Sequence, residues 1–213
     1  TRSLSWITSD IGYRRNSVVE SLREAYPSGK HGYRALPFTR SLMRRGVIGR
    51  DLIHGVNNRL LNYPSEGHVK RMKFLRRLIA VDQPMDLFGR GDFDCSQYNG
   101  KIDNKWDALE EYRYSLAIEN YSGENYFSEK ILQPLLAWCM PIYWGCTNLS
   151  EYLPEDCYVR VDITSDDSPE RVQEIIQSDY REQNLDAIRE ARELILHRHQ
   201  MWPRVSDEID NIE

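Results

Sequence analysis

Residues 112–145 read YRYSLAIENYSGENYFSEKILQPLLAWCMPIYWG, and few local structures suit that order of residues. Tyr114, Leu116 and Ile118 alternate with their neighbours at the period of a strand. A polar loop follows over residues 119–127 and carries Asn120, Gly123 and Tyr126. Ser128-Glu129-Lys130 then opens an apolar run that predicts a helix to Met140. Residues 141–144 predict a second short strand, which ends at Gly145. The whole is one β-loop-α-β unit. A polar loop that feeds a helix N-terminus is a natural anion site. The first backbone N–H groups of a helix have no internal partner, and they lie at the positive end of its dipole.

The rest of the chain repeats the alternation. Residues 4–8 (LSWIT) predict a buried strand and residues 15–25 a helix. Residues 26–33 predict a turn, and residues 39–45 and 50–61 two short helices. The stretch 63–67 breaks the chain. A firmer helix spans 68–81, with Met72, Leu75 and Ile79 on one face. A strand follows at 85–88, closed by Gly89-Arg90-Gly91. Residues 106–112 and 149–153 predict helical turns, and 158–162 a strand. Helices are expected at 168–178, with Pro169 in the first turn, and at 185–199. Strands alternating with helices predict an α/β domain with a mostly parallel sheet. Ligands of such sheets bind beyond the carboxyl ends of the strands, where the loop 119–127 lies.

At 213 residues, with 40% hydrophobic and 29% charged residues, the chain suits one folded domain. No apolar run approaches the ~18 residues of a membrane span, so a cytoplasmic or membrane-peripheral protein is expected. The net charge is −5, but residues 1–77 are strongly basic and the remainder strongly acidic. Such a segment either attracts an anionic partner or is neutralised within the fold. Cys95, Cys139, Cys146 and Cys157 show no C-x-x-C spacing. Cys139 reads as a buried thiol in the apolar helix, and a disulfide stays open. The five histidines have no metal-ligand spacing, and no Ser-His-Asp set can be assembled.

The segment IENYSGENYFSEK, residues 118–130, resembles the donor-site signature of the α-1,3-fucosyltransferases. YRYSLAIEN before it and MPIYWG after it extend the likeness, which runs with gaps from about His68 to about Val161. The resemblance implies a Rossmann-like parallel sheet flanked by helices, the donor-binding half of a GT-B type glycosyltransferase. It implies GDP-fucose as donor and inverting transfer to a hydroxyl of a glycan containing galactose or N-acetylglucosamine. The diphosphate charge would be met by side chains, with no metal or other cofactor. On this reading residues 1–213 are a single donor domain with an insertion at 11–66. The acceptor domain, which carries the general base in this family, is absent from the chain. The chain alone is then expected to be inactive or weakly active.

The site residues follow from the same match. Lys130 lies in the first turn of its helix, where a cation is unfavourable unless an anion is near. The resemblance implies that it contacts the donor diphosphate; otherwise it is a solvated lysine. Glu129 suits the helix dipole in any case, and by resemblance it binds the nucleotide sugar. Ser128 is a fitting N-cap. Asn120 and Tyr126 match residues lining the donor site, against plainer readings as a turn former and a packing ring. An arginine suits a phosphate because its fork holds two oxygens. The family spacing of arginine, apolar pair and leucine occurs at Arg71 with Phe74-Leu75-Leu78. It occurs again at Arg15 with Val18-Val19-Leu22. Arg71 is preferred, because the strand MDLFGR follows it; Arg15 is the alternative. Asp86 and Asp162 read as structural. Glu124, within the loop, is a carboxylate left without a role.

Two rivals stand beside this reading. One is a transferase of another nucleotide sugar. The other is a non-catalytic module whose basic segment, residues 14–77, binds nucleic acid or an anionic membrane. Aromatic residues are sparse there (Tyr26, Tyr33, Phe38, Tyr63 and Phe74) and fit no stacking motif, so no nucleic-acid partner is expected. A peripheral membrane contact stays open.

Overall fold

The computed structural model describes residues 2–9, 66–91, 93–199 and 209. The expected helices at 15–25, 39–45 and 50–61, the insertion and Arg15 lie outside the described residues. Five strands form one sheet: β1 (Arg2–Ser9), β2 (Asp86–Arg90), β3 (Tyr112–Ile118), β4 (Met140–Trp144) and β5 (Val159–Arg160). Their order is β2-β1-β3-β4-β5, and every pairing is parallel. The helices are α1 (Glu66–Ala80), α2 (Glu129–Leu136), α3 (Ser168–Gln177), α4 (Tyr180–Gln183) and α5 (Leu185–Leu194), the last running on into a π-helical turn, Ile195–His199. α1 packs with α3, while α2 packs with β3, β4 and α5. This is the expected Rossmann-like α/β sheet with flanking helices.

The sequence explains most of these elements. β3 is buried along its length except at Arg113, as suits a central strand of a parallel sheet covered on both faces. β5 pairs only with Ile142 and Tyr143 of β4, so Pro141 interrupts no bond on that side. The outer edge of β2 is covered by a loop: Leu87 N–H donates to the Gln97 carbonyl, and Gly89 N–H to the Gly100 carbonyl. Covering an edge in this way blocks pairing with another chain. Among the described residues, no helix is long and apolar enough to cross a membrane.

Some boundaries differ from expectation. The helix expected to reach Met140 ends at Leu136, because Met140 must already pair with Tyr114. The turn between them is a Schellman motif: Trp138 N–H bonds the Leu135 carbonyl, and Cys139 N–H bonds the Pro134 carbonyl. Trp138 takes the left-handed position, at φ 60. Cys139 is therefore buried in a turn, not in a helix, and all four cysteines are free. The strand expected at 158–162 shortens to two residues, and the helical turn at 106–112 to Lys105–Ala108, since Tyr112 already belongs to β3. Gly89 and Arg90 lie within β2 instead of closing it.

The buried stripe of α1 is also rotated from the expected one. Met72 and Leu75 are buried, but Ile79 is only half-buried; Arg71, Phe74 and Leu78 complete the core-facing set. Burying Phe74, Leu75 and Leu78 stabilises the fold by roughly 1.5–3 kcal/mol each. The same stripe carries Arg71 inward at the N-terminal end of α1. Farther along, Arg77 fastens α1 to the segment after β5, donating to the Ser165 carbonyl at 2.5 Å and to the Ile163 carbonyl.

Candidate functional site

In a parallel sheet of this order, the chain runs outward from β1 to β2 on one side and through β3, β4 and β5 on the other. A crevice opens between the carboxyl ends of β1 and β3, the place where such sheets bind ligands. Thr8 ends one wall and Glu119-Asn120 the other.

Arg71 bridges that crevice. It is only 5% exposed. Its Nη1 donates to Asn120 Oδ1 at 2.5 Å, and its Nη2 donates to Thr8 Oγ1 at 2.6 Å. The start of α1 comes close enough for this because residue 67 is glycine. A Cβ there would stand 1.7 Å from the Asn120 carbonyl oxygen, so any side chain would push the helix away. Burial lowers the Arg71 pKa to about 10, against the upward pull of Glu119 and Glu129. The guanidinium is therefore still charged at neutral pH.

Lys130 sits beside this bridge, in the first turn of α2. Its ammonium lies 3.4 Å from Glu119 Oε2 and 3.5 Å from Glu129 Oε1, and it donates to Ser128 Oγ at 3.0 Å. Ser128 is the N-cap and accepts from Lys130 N–H. Glu119 is fully buried. Its carboxylate accepts from Ser128 N–H at 2.8 Å and from the Ser128 hydroxyl. One buried side chain thus closes the loop 119–128 on itself. Residue 145 must be small beside it, since a Cβ there would fall 2.5 Å from Glu119 Cγ. Glu129 is more open. Burial disfavours its ionised form, but Lys130, its own backbone N–H and Lys105 outweigh that and hold its pKa below the usual value.

The loop itself is tied to the chain after β4. Ser122 Oγ donates to the Gly145 carbonyl at 2.9 Å, and Thr147 N–H donates to the Gly123 carbonyl. Asn125 adopts φ 58, which asparagine tolerates. Its N–H donates to Asn148, and its Oδ1 accepts from Tyr152 and Asn148. Tyr126 is 37% exposed, its ring edge-on to Tyr121 at 5.7 Å.

Of the residues singled out from sequence, the structure gathers Arg71, Asn120, Glu129 and Lys130 at one crevice. Tyr126 stands on the same loop, turned towards Tyr121. Glu124 is exposed on that loop. The carbonyls of Gly89 and Gly91 both accept from the Tyr98 hydroxyl, which makes that turn structural. Asp86 is likewise structural, accepting from Tyr112 and Asn99. Three members of the site were not anticipated. Thr8 and Glu119 read from sequence as a strand end and a loop start. His68, half-buried in the first turn of α1, has its pKa lowered by burial and then by the charges of Arg71 and Lys130, so it belongs to the same electrostatic cluster. Among the described residues, no group of His, Cys, Asp and Glu is arranged to hold a metal ion.

The family model for the C-terminal part of glycosyltransferase family 10, the fucosyltransferases, matches residues 61–182. That range covers more than half the chain and contains the whole crevice except Thr8. The chain belongs to this family. It is 33% identical over 101 residues to a fucosyltransferase-like protein of Arabidopsis thaliana, covering 46% of this chain and 19% of that protein. It is 31% identical over 75 residues to the GDP-fucose protein O-fucosyltransferase 3 of Xenopus tropicalis, covering 35% and 14%. It is 34% identical over 64 residues to the α-(1,3)-fucosyltransferase of Helicobacter pylori, covering 30% and 13%. The chain thus spans less than a fifth of the length of these relatives. Among solved structures, an α1,3-fucosyltransferase with GDP superposes at TM-score 0.47 and 16% identity, covering 88% of this chain and 38% of that one. One with GDP-fucose superposes at 0.45 and 21%, covering 60% and 36%.

Proposed function

We propose that this family 10 chain supplies the GDP-fucose-binding half of an inverting fucosyltransferase. The observation that carries the reading is Arg71, a buried guanidinium fixed between Thr8 and Asn120 where the strand order reverses, with Lys130 beside it at the start of α2. A diphosphate placed over that crevice meets two cations and the positive end of the α2 dipole. When the fucosyl bond breaks, negative charge grows on departing GDP, and fixed cations lower the barrier by stabilising it. In this reading the positive charge comes from side chains, and no cofactor is required. Glu129, the more open carboxylate, would accept from sugar hydroxyls. It would also steady the positive charge that builds at the ring in an oxocarbenium-like transition state.

The acceptor in this proposal is a hydroxyl of a glycan bearing galactose or N-acetylglucosamine, in line with the α-(1,3)-fucosyltransferase among the relatives. Inversion needs a base at that hydroxyl. Glu119 is already engaged by Ser128 and Lys130, and Glu124 is exposed on its loop. The base is therefore proposed to come from outside the described site. On that account these 213 residues bind donor but transfer little fucose.

Calorimetry of the chain with GDP, GDP-fucose and a uridine diphosphate sugar tests the donor. Binding of both guanine compounds and not of the uridine one is expected. Preference for the uridine sugar would move the reading to another nucleotide sugar. Product formation from labelled GDP-fucose, with glycan and polypeptide acceptors, tests the second part. Efficient transfer by this chain alone would place the base within it, with Glu124 the first to replace.

A further inference from the structure

We propose that Glu119 is a positioning residue, an internal counter-ion that holds the Lys130 ammonium in place and gives it up when a donor diphosphate arrives. The proposal rests on the donor-site reading above and concerns what occupies the site before the ligand does. Glu119 is 0% exposed, so it contacts no solvent and takes its interactions from its neighbours. Ser128 provides an N–H 2.8 Å from Oε1 and a hydroxyl 2.7 Å from Oε2. Lys130 lies at 3.4 Å from the same Oε2, beyond the optimum for a charged hydrogen bond.

Ser128 therefore holds the carboxylate firmly, and Lys130 is attached to it at a longer distance. Lys130 is also shared with Glu129 at 3.5 Å, and its side chain is 22% exposed. Its one shorter bond is to a neutral group, the Ser128 hydroxyl at 3.0 Å, so an ammonium with two long carboxylate contacts can be drawn to a third anion while Ser128 stays in place. Glu119 remains satisfied by Ser128 while that happens. Its negative charge, however, competes with the arriving diphosphate for Lys130.

This differs from a purely structural role in the sign of its effect. Replacing Glu119 with glutamine keeps an oxygen that can accept from Ser128 and removes the competing charge. Calorimetry with GDP on the full chain should then show Glu119→Gln binding about three- to fivefold tighter than wild type, the scale of one partly exposed ion pair. Lys130→Ala should bind GDP more weakly, and adding Glu119→Gln to it should restore nothing, because Glu119 acts through Lys130. Thermal unfolding of each variant is measured alongside. A folded Glu119→Gln protein that binds GDP no tighter than wild type, or a gain that persists without Lys130, overturns the proposal.

If the glutamine variant does not fold, Glu119→Asp keeps the charge and draws it one methylene away from Lys130. Tighter GDP binding is expected there too, and equal or weaker binding overturns the proposal. Wild type that fails to bind GDP removes the donor-site reading and this inference together. Wild type that binds, with Lys130→Ala weakened and Glu119→Gln unimproved, removes only the inference.

Discussion

The two cations of the crevice are held in opposite ways. Arg71 is buried on the core-facing stripe of α1, and its hydrogen bonds go to two neutral oxygens, Thr8 Oγ1 and Asn120 Oδ1. Lys130 is partly exposed and lies between two carboxylates. With neutral direct partners, and Glu119 and Glu129 acting on it only through space, Arg71 is a fixed source of positive potential. Carboxylate partners at 3.4 and 3.5 Å offset the ammonium charge, and on the proposal above a diphosphate competes with them. The arginine half of the site is therefore built into the fold, and the lysine half is built to exchange partners. If that contrast is right, changes at Arg71 harm stability and ligand binding together, while changes at Lys130 act mainly on binding.

The sharpest test is Arg71→Ala. It takes the Arg71 bond from the buried Thr8 hydroxyl, at roughly 1–3 kcal/mol for a buried group left unsatisfied, and removes the bond to Asn120 Oδ1 as well. Chemical denaturation should show that loss, and GDP binding should fall more than tenfold. Arg71→Lys should recover little of either, because one ammonium cannot span two oxygens as a planar fork does. An Arg71→Ala protein as stable as wild type would remove the fixed half of the contrast.

Lys130→Ala comes next. GDP affinity should fall by about 1.5–3 kcal/mol, the range for a hydrogen bond to a charged group. Stability should fall less than in Arg71→Ala, since the Ser128 N–H and hydroxyl still serve Glu119. Equal losses of stability from the two substitutions, measured by the same denaturation, would break the contrast from the other side.

The contrast was half legible in the sequence. Alternation through Tyr114, Leu116 and Ile118 marks β3, and Ser128 ahead of an apolar run marks the start of α2; both are local signals, and both hold. Arg71 could be preferred to Arg15 because the strand MDLFGR follows it, while the apolar spacing they share places Phe74, Leu75 and Leu78 with Arg71 on one buried stripe. Its partners could not be read, since Thr8 is 63 positions away and reaches Arg71 only through the strand order. Glu119 was missed for a related reason. A glutamate after a strand looks like the first residue of a polar loop. Its burial follows from the loop's return to Ser128 and from the close approach of Gly145, neither of which leaves a local pattern. The end of α2 was misread because the left-handed position of its Schellman turn is filled by Trp138, where a glycine would have announced the stop.

The smallest expected effect falls on His68, which feels both cations. Burial, then Arg71 and Lys130, hold its pKa below the ordinary value of 6.5, so it is neutral at pH 7. A diphosphate brought against the same cations offsets their repulsion and favours the imidazolium. GDP binding is then linked to proton uptake, and affinity should rise as the pH falls from about 7.5 towards 6. Stability without ligand moves the other way. The unfolded chain protonates its histidine near 6.5 while the folded one resists. Below that pH the unfolded state holds more protons, and stability falls until the folded pKa is passed. GDP's own phosphate titrates in the same range, so the informative quantity is the difference between wild type and His68→Gln. Calorimetry in two buffers of unlike ionisation enthalpy measures the protons taken up. Wild type should take up more than the variant at pH 6.5, with a change in affinity of a few-fold at most. Identical uptake by the two would place His68 outside the field of the diphosphate and leave Arg71 and Lys130 as the ligand's cationic contacts in that reading.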